Sequence, residues 1–142
     1  MKKVLYILLA ILSFSVASCD KLPENGDLDG NWQLLTIEQH ATGEVTSVKD
    51  QKIFWAVQLK LMSYRGAANS YLSRFIHEGD SLFLYNFYRH TRYEDYLLTD
   101  SSTTELAKLG IQGISGRYAI ETLNKKSMVL NSINSRLVFR KF

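Results

Sequence analysis

The strongest constraint on the fold is a two-residue alternation of apolar and polar side chains, which recurs from residue 31 to the end of the chain. One face of an extended chain in its clearest stretch would carry Ile53, Trp55, Val57, Leu59 and Leu61. This period is typical of β-strands that bury one face. Turn-forming pairs rich in glycine, asparagine and aspartate interrupt it at short intervals. The pattern therefore predicts an all-β protein.

Nine segments have this alternation or a short apolar run, namely 31–39, 44–49, 53–63, 70–77, 81–88, 92–98, 117–123, 127–132 and 136–141. Their connections are too short for crossover helices, so neighbouring strands should pair antiparallel in a barrel or sandwich. In the first segment the apolar phase changes at Leu34 and Leu35, which predicts a β-bulge or sharp bend there.

One helix is predicted between the strands. The run from Ser102 to Glu105 resembles a capping box, Leu106 and Leu109 are three residues apart, and Gly110 supplies a stop. A helix of about two turns is unstable alone, so it should dock on the sheet.

Residues 1–18 have the pattern of an export signal. Lys2 and Lys3 precede an apolar run of about 13 residues, which is too short to span a bilayer as a helix. The run ends in Val16-Ala17-Ser18-Cys19, which resembles a bacterial lipobox. That resemblance implies a diacylglycerol thioether and an acyl chain such as palmitate on Cys19. The alternative is an ordinary signal peptide followed by a free thiol.

This resemblance also implies a location in the bacterial cell envelope, anchored by lipid, with the outer membrane as the expected site. Several acyl chains hold a protein on a membrane without any spanning helix. Residues 19–29 include the single proline and several charged residues, so they are interpreted as a lipidated tether. The folded domain is then expected to be 30–142, a length that suits one domain.

Charge and cysteine content exclude two classes of protein. The chain has 17 Lys+Arg against 14 Asp+Glu, and removing Lys2 and Lys3 with the signal leaves 15 against 14. The remaining basic residues are scattered among acids, which argues against nucleic-acid binding. A single cysteine cannot form an internal disulfide, which excludes a disulfide scaffold.

No pattern predicts catalysis, a metal or a cofactor. His40, His77 and His90 are far apart and match no metal-ligand spacing. Glu94 and Asp95 are adjacent, so on a strand their carboxylates point to opposite faces and cannot work as a pair. We therefore expect a protein that is not an enzyme. A hydrolase would require an acid and a histidine that converge in a pocket.

The two ends of the predicted domain carry a family resemblance. Gly30-Asn31-Trp32 opens the first strand and Arg140 lies in the last, and together they resemble the signature of bacterial lipocalin-like lipoproteins of uncharacterised function. The resemblance implies an antiparallel up-and-down barrel of about eight or nine strands with one short helix. In it Trp32 would plug the closed end and Arg140 would pack across the indole. Arg136, on the same strand face, is the alternative partner.

The predicted function is the binding of a small apolar or amphipathic ligand inside the barrel. Aromatic residues crowd the middle third of the chain, and such side chains often line ligand cavities. Strand phase selects as lining candidates Trp55, Val57, Leu59, Phe83, Tyr85 and Ile120. An eight-stranded barrel can instead be filled by its own side chains. The protein would then be an accessory or structural subunit of an envelope complex.

Overall fold

The computed structural model describes residues 2–4, 24–99 and 103–142 of the chain. The predicted lipid attachment at Cys19, most of the predicted signal peptide and the predicted capping serine, Ser102, lie outside the described residues. In the part of the chain that is described, we find no helix with the length and hydrophobicity needed to cross a membrane.

The described chain is almost entirely β-structure. The strands are β1 (Gly30–Gln39), β2 (Val45–Ser47), β3 (Phe54–Gln58), β4 (Leu61–Arg65), β5 (Ser70–Glu78), β6 (Ser81–His90), β7 (Asp95–Leu97), β8 (Gly116–Leu123), β9 (Ser127–Asn131) and β10 (Ser135–Lys141). One short α-helix, α1 (Thr103–Ala107), precedes β8. Short 3-10 turns lie at Gly26–Leu28 and Lys49–Gln51.

Eight of these strands close into a ring. Their order is β10-β9-β8-β6-β5-β4-β3-β1, and β1 pairs with β10 to complete the circle. Each pairing in the described sheet is antiparallel, and neighbours in the ring follow one another along the chain, apart from β2 and β7. These two short strands pair beside β1 and β6. The predicted antiparallel up-and-down barrel is confirmed.

The barrel has two distinct ends. We call the end where β1 begins the floor, and it holds Leu28 and Trp32, both fully buried. The opposite end is the mouth, where β8 begins and where the helix α1 lies. Because the strands alternate in direction, β1 and β6 both run from floor to mouth.

The predicted irregularity in the first strand is present. Leu34 pairs with Phe139 and Thr36 pairs with Val138, so Leu35 is the extra residue of a β-bulge. Before the bulge the even-numbered Trp32 and Leu34 point into the core. After it the odd-numbered Ile37 packs against the core. The phase change at Leu34 and Leu35 therefore predicted a real bend.

The segment 53–63, predicted as one strand, is a hairpin of β3 and β4. Gln58 pairs with Leu61, which leaves Leu59 and Lys60 as a two-residue turn. Leu59 has a φ of 56° and 62% of its surface is exposed. Because Leu59 is apolar, the alternation of the sequence continues through the turn. The pattern therefore did not predict that the chain reverses direction there.

The boundary predicted at residue 30 lies inside the folded unit. Leu28 is fully buried beneath the barrel, so the end of the predicted tether is part of the core. The Asn25 side chain donates to the Leu59 carbonyl at 2.6 Å and to Asp29 at 2.6 Å. Residues from about 25 onward are therefore held against the floor.

Candidate functional site

The floor is sealed by Trp32 and a lysine. The Trp32 Nε1–H donates to the Leu28 carbonyl at 2.8 Å, and the Lys141 ammonium lies 4.5 Å from the centre of the indole ring. The prediction that Arg140 packs across Trp32 is wrong. Arg140 instead points to the outer side, where its Nε donates to Gln33 at 2.8 Å. Neighbouring residues of a strand face opposite sides, so the cation that contacts Trp32 is Lys141, one position after Arg140.

The other predicted partner is also excluded, because Arg136 forms an ion pair with Glu121 at 3.0 Å. Gly30 leaves room for the Lys141 side chain at the floor. Gly30 has a φ of +122°, and a Cβ on it would lie 2.8 Å from the Lys141 Cε. The ammonium donates to the carbonyl of Asp27 at 2.9 Å and to that of Asp29. These contacts tie the chain before β1 to the end of β10, which is a structural role.

Desolvation at the floor lowers the pKa of Lys141, and the carboxylates of Asp27 and Asp29 oppose that shift. The ammonium is nevertheless directed at carbonyl oxygens and at a ring face, which favour its charged form.

Aromatic side chains fill the middle of the barrel. Trp55 makes edge contacts with Tyr64 at 5.1 Å, with Phe139 at 4.8 Å and with Tyr118 at 6.2 Å between ring centres. Burial raises the pKa of Tyr118 to about 12. Burial also raises the pKa of Tyr64 well above its usual value, although its hydrogen bond with Ser73 opposes this. These rings leave the interior apolar and densely packed.

The helix α1 and the turn that follows it cover the mouth of the barrel. We call residues 103–111 the cap. Leu106, Leu109 and Ile111 are buried, and the Trp55 Nε1–H donates to the Leu109 carbonyl at 2.9 Å. Gly110, with a φ of +82°, passes so close to the wall that a Cβ would lie 3.2 Å from Leu137. The tight fit explains why a glycine follows the helix.

A cavity of about 110 Å³ remains beside the cap, at the mouth. Its apolar wall is formed by Leu84, Phe87, Ile111, Tyr118 and Ile133. Its polar lining includes Gln112, Ser115, Arg117, Ser132 and Asn134. An engineered cavity of roughly 150 Å³ holds benzene, so this space suits a short apolar group with a polar end. We take it as the candidate functional site.

The predicted lining residues do not form this site. Trp55 and Val57 point inward but are packed into the core, and Ile120 also packs against the core. The assignments of Phe83 and Tyr85 are wrong, because these rings stack on each other at 5.7 Å on the outer face of β6. The prediction for Leu59 is wrong as well, since it lies in an exposed turn.

The candidates chosen from strand phase did not include Leu84 and Phe87, which do line the cavity. Leu82 and Leu84, the inward residues of β6, have the opposite parity to the candidates chosen. The segment is apolar on both faces, so alternation could not decide which face was inside. The available signal was Asn86, a polar residue of a type that tolerates positive φ. Its φ is 51°, and the side-chain phase of β6 changes there.

Among the described residues, no histidine or carboxylate lines the cavity. His90 lies 2.7 Å from Asp95, but both side chains are exposed on β6 and β7 and neither lines it. His40 contacts Asn131 at 2.7 Å on the surface. Among the described residues there is no group of three or more potential metal ligands. The cavity lining provides hydroxyl, amide and guanidinium groups.

Comparison with solved structures shows the same fold in other bacteria. A lipocalin-like protein from Bacteroides uniformis is 22% identical, with a TM-score of 0.61 over 82% of this chain and 100% of that one. An uncharacterised protein from Bacteroides eggerthii is 21% identical, with a TM-score of 0.54 over 81% of this chain and 99% of its own. A protein from Burkholderia xenovorans is 17% identical, with a TM-score of 0.56 over 80% and 82%.

No curated protein matches the sequence. The model of a lipocalin-like domain matches residues 11–142, which is most of the chain. The closed antiparallel ring and the tryptophan at its floor agree with that match. The chain therefore belongs to the lipocalin-like family.

Proposed function

We propose that this protein is a lipid-anchored binding protein of the bacterial cell envelope, which takes a small amphipathic molecule at the barrel mouth. The observation that carries the proposal is the cavity of about 110 Å³ beside the cap. Its wall is apolar and its lining includes polar side chains, which is the usual composition of a ligand site. The lining contains no histidine or carboxylate, so the proposed role is binding rather than catalysis.

The proposed anchor would leave this site accessible. Asn25 is bonded to the turn at Leu59, so the chain enters the domain at the floor. Cys19 lies six positions before Asn25, and an extended chain of that length spans about 20 Å. Acyl chains on Cys19 would therefore hold the floor near the membrane and direct the mouth away from it. We propose the outer membrane as the location.

The size of the cavity limits the ligand. Pockets for drug-sized molecules usually measure roughly 300–1,000 Å³, far more than the space at this mouth. A ligand of a few carbon atoms fits without any rearrangement. A longer one would project from the cavity into solvent, because the Trp55 hydrogen bond and the buried leucines hold the cap in place.

Native mass spectrometry of the protein isolated from its own host tests for such a ligand, and we expect a retained small molecule. Replacing Ser115 with Phe should fill the polar side of the cavity and abolish retention. Ser115 is exposed, so the fold should tolerate the change. Ser47→Phe, on the exposed strand β2, is the matched control and should retain the molecule. Equal retention by both variants would contradict this site.

The anchor is tested separately by cell fractionation. We expect Cys19→Ala to move the protein from the membrane to the soluble fraction. Ser18→Ala keeps a small residue before the cysteine and should remain membrane-bound. Retention of the Cys19→Ala protein on membranes would refute the lipid anchor.

A second function is favoured by the tightly packed interior together with the outer surface. A groove of about 310 Å³ crosses β3, β4 and β5, and Leu61 in it is 47% exposed. Such a surface suits an accessory subunit of an envelope complex. A photoreactive residue at position 61 should then give one discrete cross-linked species in intact envelopes, and the same probe at Ser47 should not. Absence of that species would exclude this function.

A further inference from the structure

The turn between β3 and β4 contains a leucine that packing within the domain does not explain. Leu59 and Lys60 form the whole turn, and Leu59 has a φ of 56°. Two-residue hairpin turns favour glycine, asparagine or aspartate at a positive φ, because larger side chains are strained there. Since 62% of the Leu59 surface is exposed, burial in the core does not offset this strain. A contact outside the domain would account for the residue.

Further apolar side chains are exposed beside this turn. Leu61 is 47% exposed, and Ile76 on the outer side of β5 is 44% exposed. Ile76 and Lys60 line one depression in the barrel wall, together with Tyr85 of β6. We call Leu59, Lys60, Leu61 and Ile76 the floor rim. Tyrosine side chains are common where a protein meets a membrane surface, so the depression has a suitable neighbour.

The chain enters the domain at the floor rim. The Asn25 side chain donates to the Leu59 carbonyl at 2.6 Å, and Glu24 and Asn25 line the depression beside Ile76. Cys19 is six positions before Asn25, so an anchor there would keep the bilayer within about 20 Å of this point. That distance is shorter than the diameter of a small domain, which is about 30 Å. The bilayer surface is therefore the partner that the tether brings to the rim.

We propose that the floor rim docks on the phospholipid surface that carries the anchor, with Leu59 as its leading apolar side chain. The inference rests on the proposed lipid anchor at Cys19, and it adds an orientation that a tether alone does not impose. Leu59 enters the head-group region, while the Lys60 ammonium stays in water and its methylene groups lie along the lipid. The mouth, at the opposite end of the barrel, then faces away from the membrane.

Apolar contact rather than charge stabilises the docked orientation. Lys60 and Glu24 both line the depression, and their charges oppose each other. Transfer of the Leu59 side chain from water into lipid favours the docked orientation by about tenfold. Salt screens attraction between exposed charges, but it does not weaken apolar contact in this way. Docking is therefore expected on zwitterionic phosphatidylcholine, and added salt should change it little.

The test observes exposed methyl groups of the mature lipoprotein in phosphatidylcholine nanodiscs by NMR. A nitroxide on a fraction of the lipid head groups broadens the signals of methyl groups that lie close to the bilayer. We expect strong broadening for Leu59, Leu61 and Ile76. The signal of Ile133, which is 90% exposed in the turn between β9 and β10 at the mouth, should stay sharp.

A variant assigns the broadening to the proposed side chain. Asparagine tolerates a positive φ, so Leu59→Asn should unfold thermally at the same temperature or a higher one. Its ratio of docked to undocked protein should fall about tenfold, which the reduced broadening of Ile76 measures. Ile133→Asn removes an exposed apolar side chain at the other end of the barrel. It is the matched control and should leave the Ile76 broadening unchanged.

The outcomes separate the docking from the lipid anchor. Equal broadening of Leu59 and Ile133 would overturn the docking and leave the anchor intact, and so would unchanged broadening of Ile76 in Leu59→Asn. A discrete protein cross-link from position 61 in intact envelopes would place a protein on the rim and would also overturn the docking. Release of the wild-type protein from the nanodiscs would refute the anchor and the docking together.

Discussion

Replacing Trp55 with Phe should loosen the cap more than the rest of the barrel. The change removes the donor to the Leu109 carbonyl and keeps one aromatic ring among the contacts with Tyr64, Tyr118 and Phe139. An unpartnered buried acceptor costs about 1–3 kcal/mol. The void left by the smaller ring adds about 1 kcal/mol. We therefore expect the free energy of unfolding to fall by about 2–4 kcal/mol.

Urea denaturation measures the global loss, and amide hydrogen exchange measures the local one. The amides of Leu109, Gly110 and Ile111 report on the cap, because they donate to carbonyls within it. Their protection should fall more than that of the barrel strands. Trp32→Phe is the matched control, since it removes a similar indole hydrogen bond at the floor. If the two variants affect the cap amides equally, the Trp55 indole does not hold the cap.

Three further predictions follow from the floor, the cap and the buried tyrosines. Lys141→Met should cost about 1–2 kcal/mol in urea denaturation, and Arg140→Met less than about 1, whereas the reverse order would contradict the floor geometry. Gly110→Ala should cost about 2–3 kcal/mol, because its φ of +82° and the nearby wall disfavour a side chain; an unchanged midpoint would refute this. The raised pKa of Tyr118 favours its neutral form in the folded state, so the stability it contributes is present below pH 10 and lost as pH rises toward about 12. Tyr118→Phe should therefore reduce the alkaline loss of stability by about 3 kcal/mol in urea denaturation, and an unchanged loss would contradict this.

The sequence predicted the fold well because alternation and turns are local signals. It failed wherever one residue of register decided the answer, since a slip of one position moves a side chain to the other face. Arg140 and Lys141 are adjacent cations, and only the pairing of Lys141 with Trp32 shows which one reaches the floor. Phe83 and Tyr85 were placed inside for the same reason, because their strand is apolar on both faces.

The two β-bulges explain why the mouth was the hardest part to predict. In β1 the bulge at Leu35 lies between the residues that pair with β3 and those that pair with β2. In β6 the bulge at Asn86 lies between the residues that pair with β8 and those that pair with β7. Each bulge thus occurs where a long strand exchanges its partner in the ring for a short strand at the mouth. The phase of the side chains changes at each bulge: Ile37 packs against the core after the first, and Phe87 is in the core after the second. The positions at which a simple alternation fails are therefore the positions at which a long strand of this barrel changes partner.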